Sequence, residues 1–80
     1  MSEKVYYDYN FLTELERNNK NLLKTLKQKD KETFVLLEKT KVNVLFLSLK
    51  KNYELADKLC RQYRKVLIKA YSYFCNETNK

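Results

Sequence analysis

None of the 80 residues is glycine or proline. Without glycine nothing supplies, at no steric cost, the positive φ of a tight hairpin turn, and without proline no corner is preset. A chain of linked strands would therefore have no ready reversals, so helices are expected. The apolar spacing agrees. Val42, Phe46, Leu49, Tyr53, Ala56, Cys60, Tyr63, Leu67, Ala70 and Phe74 recur alternately four and three residues apart, and none of these positions is charged. Such spacing brings all of them to a single helical seam. Leu45, Leu59, Val66 and Tyr73 widen the seam into the stripe of a helix packed in a bundle.

A chain of this length makes one small domain, residues 1–80, that needs good helix packing or a partner to be stable. Residues 1–9 form an N-terminal arm, and helices are expected at about 10–28, 31–51 and 53–76. Asn10 is the expected first N-cap, with Glu14 and Glu16 in the opening turns. Leu12, Leu15, Asn19, Leu22 and Leu26 continue in helical phase. Asn19 puts an amide in that series, and residues 17–21 (Arg-Asn-Asn-Lys-Asn) are the weakest helical stretch, the place where the first helix would break. Asp30 is the N-cap of the second helix, and Lys50-Lys51-Asn52 its end. The expected fold is all-α, a small antiparallel three-helix bundle. The alternative is a helical hairpin in which the phase kept from Val42 to Phe74 reflects one long C-terminal helix of about forty-five residues running through Asn52, leaving apolar surface that dimerises.

Seventeen basic against ten acidic residues give a net charge of +7, unevenly placed. Residues 1–16 hold one lysine against Glu3, Asp8, Glu14 and Glu16; the remainder holds sixteen basic and six acidic residues. Such a field attracts nucleic acid, anionic lipid or an acidic protein surface. Codon usage in an AT-rich genome is the competing cause, since fourteen of the basic residues are lysine and Asn and Tyr are abundant. On α-helical spacing, Lys58, Arg61, Lys65 and Lys69 share the face opposite the seam, with Arg64 beside them. Lys20, Lys24, Lys27 and Lys31 form a comparable row. Either row suits phosphates. The ordinary reading is a solvated face, with Glu54 and Asp57 pairing to Lys58 and Arg61.

Eleven aromatic residues are the second candidate set. Tyr53 and Tyr63 are expected in the core, whereas Tyr71 and Tyr73 suit an exposed protein-binding patch. Tyr6, Tyr7 and Tyr9 either dock the arm on the bundle, extend the first helix backward, or meet a partner. Tyr53, Ala56 and Tyr63 are similar in spacing to the second helix of a tetratricopeptide repeat over about a dozen residues, but that repeat's glycine, proline and second copy are missing, so it is not assigned.

With no histidine, no glycine-rich phosphate loop and no nucleophile beside a base, catalysis, a cofactor and a Cys/His zinc site are not expected. Cys60 and Cys75, ~22 Å apart on one helix, are expected as free thiols of an intracellular, reducing compartment. No apolar run suits a membrane span or a signal peptide, so the Asn76-Glu77-Thr78 sequon carries no weight. The resulting expectation is a small basic helical adaptor or modulator that binds a protein partner. Its size and composition suit a viral, phage or mobile-element product. Nucleic-acid binding through the two basic rows is the alternative, with reversible attachment to an anionic membrane ranked lower.

Overall fold

The computed structural model describes residues 6–78, with side chains as far as residue 74. Residues 1–5 of the arm, the Cys75 thiol and the sequon side chains lie outside the described residues. The protein is all-α, built from α1 (Tyr9–Asn18), α2 (Lys20–Lys29), α3 (Lys31–Leu49) and α4 (Tyr53–Thr78).

Asp8, not Asn10, caps α1. Its backbone is extended, and its carboxylate accepts the amides of Asn10 (3.1 Å) and Phe11 (3.3 Å) at the positive helix end. The single helix expected over 10–28 is broken at Asn19, so the described residues form four helices where three were expected. The Asn19 side-chain amide donates to the Leu15 carbonyl at 2.8 Å and its backbone leaves helical geometry. Helix resumes at once, the Leu23 amide donating to the Asn19 carbonyl. Asp30 does cap α3, as expected, accepting the Thr33 amide (3.3 Å) and hydroxyl (2.7 Å).

Between α3 and α4 the chain reverses through Lys50, Lys51 and Asn52, which excludes one long helix. Lys51 takes φ 62°, and the Asn52 and Lys51 amides return to the Leu47 and Ser48 carbonyls (2.9 and 3.1 Å). This is a Schellman closure with lysine in the left-handed position normally given to glycine.

The break at Asn19 follows from how the legs are arranged. Tyr7 and Asp8 lie against Asp57 and Cys60, while residues 17–22 lie against Tyr71, so α1 runs parallel to α4. Lys29, Asp30 and Thr33 meet Val66, Lys69 and Tyr73 on the opposite flank of α4. Helix α2 thus crosses the end of the bundle from one side of α4 to the other. A straight helix from 10 to 28 could not make that crossing. Helix α3 then returns antiparallel to both, held to α1 by the Lys41 ammonium, which donates to both oxygens of Glu16 at 2.8 Å.

Leu12, Leu23, Leu26, Leu37, Val44, Ala56, Cys60, Tyr63, Leu67 and Ala70 form the core. Within α4 the expected seam holds from Ala56 onward, but Tyr53, the first residue of that helix, is 43% exposed instead of core. Within α3 it does not hold: Val42, Phe46 and Leu49 face outward. The face of α3 that packs inward carries Leu37 and Val44, with Phe34 and Leu47 partly buried. The phase kept across Asn52 was coincidental, because the reversal rotates α3 and α4 independently. The molecule measures 47 × 27 × 17 Å, and its short dimension admits only about two helix layers, so no helix is enclosed on all sides.

Candidate functional site

The N-terminal tyrosines are taken up by the chain itself. The Tyr7 amide donates to Asp57 Oδ1 at 2.9 Å, while Arg61 Nε donates to Asp57 Oδ2 at 2.9 Å. The Arg61 guanidinium lies 5.0 Å from the centre of the Tyr7 ring, which stacks on Phe11 at 4.1 Å. This is a charge-assisted clasp on a carboxylate whose side chain is 13% exposed. The hydrogen bond and charge of Asp57 raise the Arg61 pKa above its ordinary value. Next to the clasp, the Cys60 thiol donates to the Asp8 carbonyl at 3.4 Å. Burial pushes that thiol up to about 12, with Asp57 and Asp8 adding to the effect. A thiol so disfavoured as thiolate is no nucleophile at neutral pH. Tyr6 is half-buried beside Asn52, Leu55 and Lys58, and Tyr9 opens α1 with the Lys41 ammonium 5.8 Å from its ring centre.

Lys58, Arg61, Arg64, Lys65 and Lys69 are all exposed on α4. Of the two pairings expected for this row, Asp57 with Arg61 is present; Lys58 has no ion pair among the described residues. Lys20, Lys24 and Lys27 are exposed on α2, but Lys31 belongs to α3, so that row is split at the Asp30 junction. The Lys27 ammonium sits 5.9 Å from the Phe34 ring centre.

Tyr71 and Tyr73 are both exposed, yet they do not form one patch. Two residues apart on a helix, they project ~200° from each other. Tyr71 meets the junction of α1 and α2, while Tyr73 lies on the α3 side, edge-on to Phe74 at 5.0 Å. Tyr71 instead shares an edge with Ile68, and both are 55% exposed. Arg64 and Lys65 lie on the same edge, and the helical spacing of Arg64, Ile68 and Tyr71 makes them one stripe.

A second apolar surface was missed by sequence reasoning. Phe46 and Leu49 are 57% and 70% exposed, and with Val35 and Val42 they line the outer face of α3. The signal for it was present in Phe34-Val35-Leu36-Leu37 and Val44-Leu45-Phe46-Leu47. Four consecutive apolar residues sweep ~300° around a helix, so each block must place side chains on both sides.

Tyr63 is fully buried and its hydroxyl has no hydrogen-bond partner among the described residues. Burial, reinforced by Glu16 and Glu38, raises it to about 12. For Lys41, burial opposes the charge, but the hydrogen bond and charge of Glu16 outweigh it and raise the pKa.

Among the described residues no helix is long and apolar enough to cross a membrane, and no cluster of three metal-ligating side chains occurs. Compared with known proteins, the chain matches no protein family, no curated protein and no solved structure.

Proposed function

We propose that this chain is a non-catalytic binding module, an adaptor or modulator that docks on an acidic protein surface through the outer edge of α4. One observation carries the reading: Ile68 and Tyr71 stand exposed next to Arg64 and Lys65. An aromatic and an aliphatic anchor rimmed by arginine and lysine match the composition of interface hot spots, where the apolar centre is desolvated and the charged rim selects the partner. The N-terminal tyrosines drop out of this role because Tyr7 is clasped by Asp57 and Tyr9 sits within α1.

Nucleic-acid binding is the second reading, favoured by exposed lysines and arginine on α4 of which only Arg61 is ion-paired among the described residues. A phosphate-tracking surface has no use for Ile68, and its affinity falls steeply with salt. The test compares Ile68→Ser with charge reversal of Lys58, Lys65 and Lys69, both in pull-downs from nuclease-treated extract of the expressing cells and in a salt series against short single-stranded and duplex nucleic acids. Loss of a protein partner in Ile68→Ser, with negligible nucleic-acid binding near physiological salt, supports the protein reading. Tight, salt-sensitive nucleic-acid binding that Ile68→Ser leaves unchanged overturns it.

A further inference from the structure

The outer face of α3 has a different character from the α4 edge, and its chemistry is self-complementary. Val35, Lys39, Val42, Phe46 and Leu49 follow one another four, three, four and three residues apart. All five are exposed, and α3 presents them along a line ~21 Å long. Leu36 (exposed) and Leu45 (half-buried) flank the line on its two sides. This is the spacing of a two-stranded helical seam, laid on the side of α3 turned away from the core formed by Leu37 and Val44. A face of this length and content exposes a few hundred Å² of apolar surface, the size at which a patch ordinarily marks an interface.

We propose that a second copy of this chain covers the face, the two α3 helices packing antiparallel about a two-fold axis between Val42 and Phe46. Three observations select that occupant and that direction. The face is self-complementary under a two-fold: Phe46 of each copy packs on Val42 of the other, and Leu49 meets the aliphatic stem of the other copy's Lys39. Lys39, the one charged position in the line, disfavours the parallel alternative, which sets the two lysines against each other. The antiparallel pairing separates them by ~15 Å and lays each stem over the other copy's Leu49, with the ammonium beside the negative end of that copy's α3.

Charge placement is the third observation. Helix α3 carries Lys31, Lys39 and Lys41 against Glu32 and Glu38, so it is nearly balanced, while α2 carries four lysines and no acid. Two strongly basic chains therefore meet with less repulsion through α3 than through α2 or α4. A few hundred Å² from each copy totals less than the ~1,200 Å² of a standard stable interface, so the contact belongs to the weak, reversible class. The matching affinity is moderate, with Kd of ~10–100 µM. The Ile68 and Tyr71 edge lies on the α1 side of α4 and stays open in both copies, making the dimer bivalent.

The test is sedimentation equilibrium of the full chain from ~1 to ~300 µM at low and high salt, spanning that Kd range. The expected result is a monomer–dimer equilibrium that tightens as salt rises, because screening relieves repulsion between two positive chains while apolar burial persists. Phe46→Glu weakens the dimer ~30-fold or more, as loss of a central aromatic anchor does, and Phe46→Ser does so without added charge. Circular dichroism of both variants stays helical because Phe46 is outside the core. A monomer at every concentration, or a dimer indifferent to both Phe46 variants, overturns the proposal. A dimer loosened by salt overturns it as well, since that marks an electrostatic contact. The Ile68→Ser pull-down is independent of all three outcomes.

Discussion

Replacing Asp57 by alanine is the sharpest probe of how the N-terminal segment is held. The carboxylate accepts the Tyr7 amide and Arg61 Nε, each at 2.9 Å. A hydrogen bond to a charged group contributes about 1.5–3 kcal/mol, so the Tyr7 bond is the larger loss. The Arg61 pair contributes the smaller share, because the arginine side chain is 57% exposed and solvent screens it. Asp57→Ala also strands the Tyr7 amide and frees the Tyr7 ring from its place between Arg61 and Phe11. The expected cost is about 2–3 kcal/mol, which lowers Tm by roughly 10–20 °C in a domain of this size. Arg61→Ala, which keeps the carboxylate for Tyr7, lowers the melting temperature far less. Thermal melts by circular dichroism measure both, and hydrogen exchange at the Tyr7 amide reports the clasp directly. If Asp57→Ala melts within ~2 °C of the parent, or Arg61→Ala matches its loss, the clasp does not hold the segment as described.

Three further outcomes follow from single positions. Lys51→Gly relieves a left-handed residue at the α3 C-terminus and stabilises by about 0.5–1 kcal/mol in urea unfolding; destabilisation would show that Lys51 contributes through its side chain. Tyr63→Phe removes a buried hydroxyl without a partner among the described residues and is neutral or stabilising by up to ~1 kcal/mol, whereas Tyr63→Ala costs about 3–5 kcal/mol; a large loss in Tyr63→Phe would show that the hydroxyl is hydrogen-bonded. Stability is flat up to about pH 9 and falls toward pH 12, because the Cys60 thiol, ordinarily 9.0, and the Tyr63 hydroxyl, ordinarily 10.0, are both raised to about 12 in the fold. The unfolded chain releases these protons first, so each contribution is whole below the unfolded value and lost as pH rises toward the folded one, and Lys41 acts in the same sense. Urea midpoints against pH measure this, and Cys60→Ala delays the onset; an onset unchanged by Cys60→Ala would remove the thiol from the account.

Much of α4 was legible from spacing alone. Ala56, Cys60, Tyr63, Leu67 and Ala70 form a narrow, charge-free line, and a helix with one apolar face can bury only that face. Asp30 was legible as a cap because a short carboxylate before a helical run meets free amides wherever it stands. Asp8 was not, since the tyrosines around it gave no phase from which to place the first turn. The α4 basic face was legible as opposite the seam, and so was the Asp57–Arg61 pair, but the Tyr7 amide and ring that join it come from a segment fifty residues away. The pairing of Ile68 with Tyr71, in place of Tyr71 with Tyr73, was available from helical angles and needed only the knowledge of which flank each neighbour occupies.

The helical class, the single core-facing line of α4 and the surplus of positive charge were determined by the sequence itself. They rest on local backbone preference and on the 3.6-residue period, which need no partner. Which side of α3 turns inward was decided only in the tertiary structure. That helix carries apolar residues on both of its sides, so no periodicity ranks its two faces. Three distant constraints choose between them: the Lys51 reversal that rotates α3 against α4, the Glu16–Lys41 pair, and the crossing of α2 over the bundle end. By burying Leu37 and Val44 they leave Phe46 and Leu49 outside.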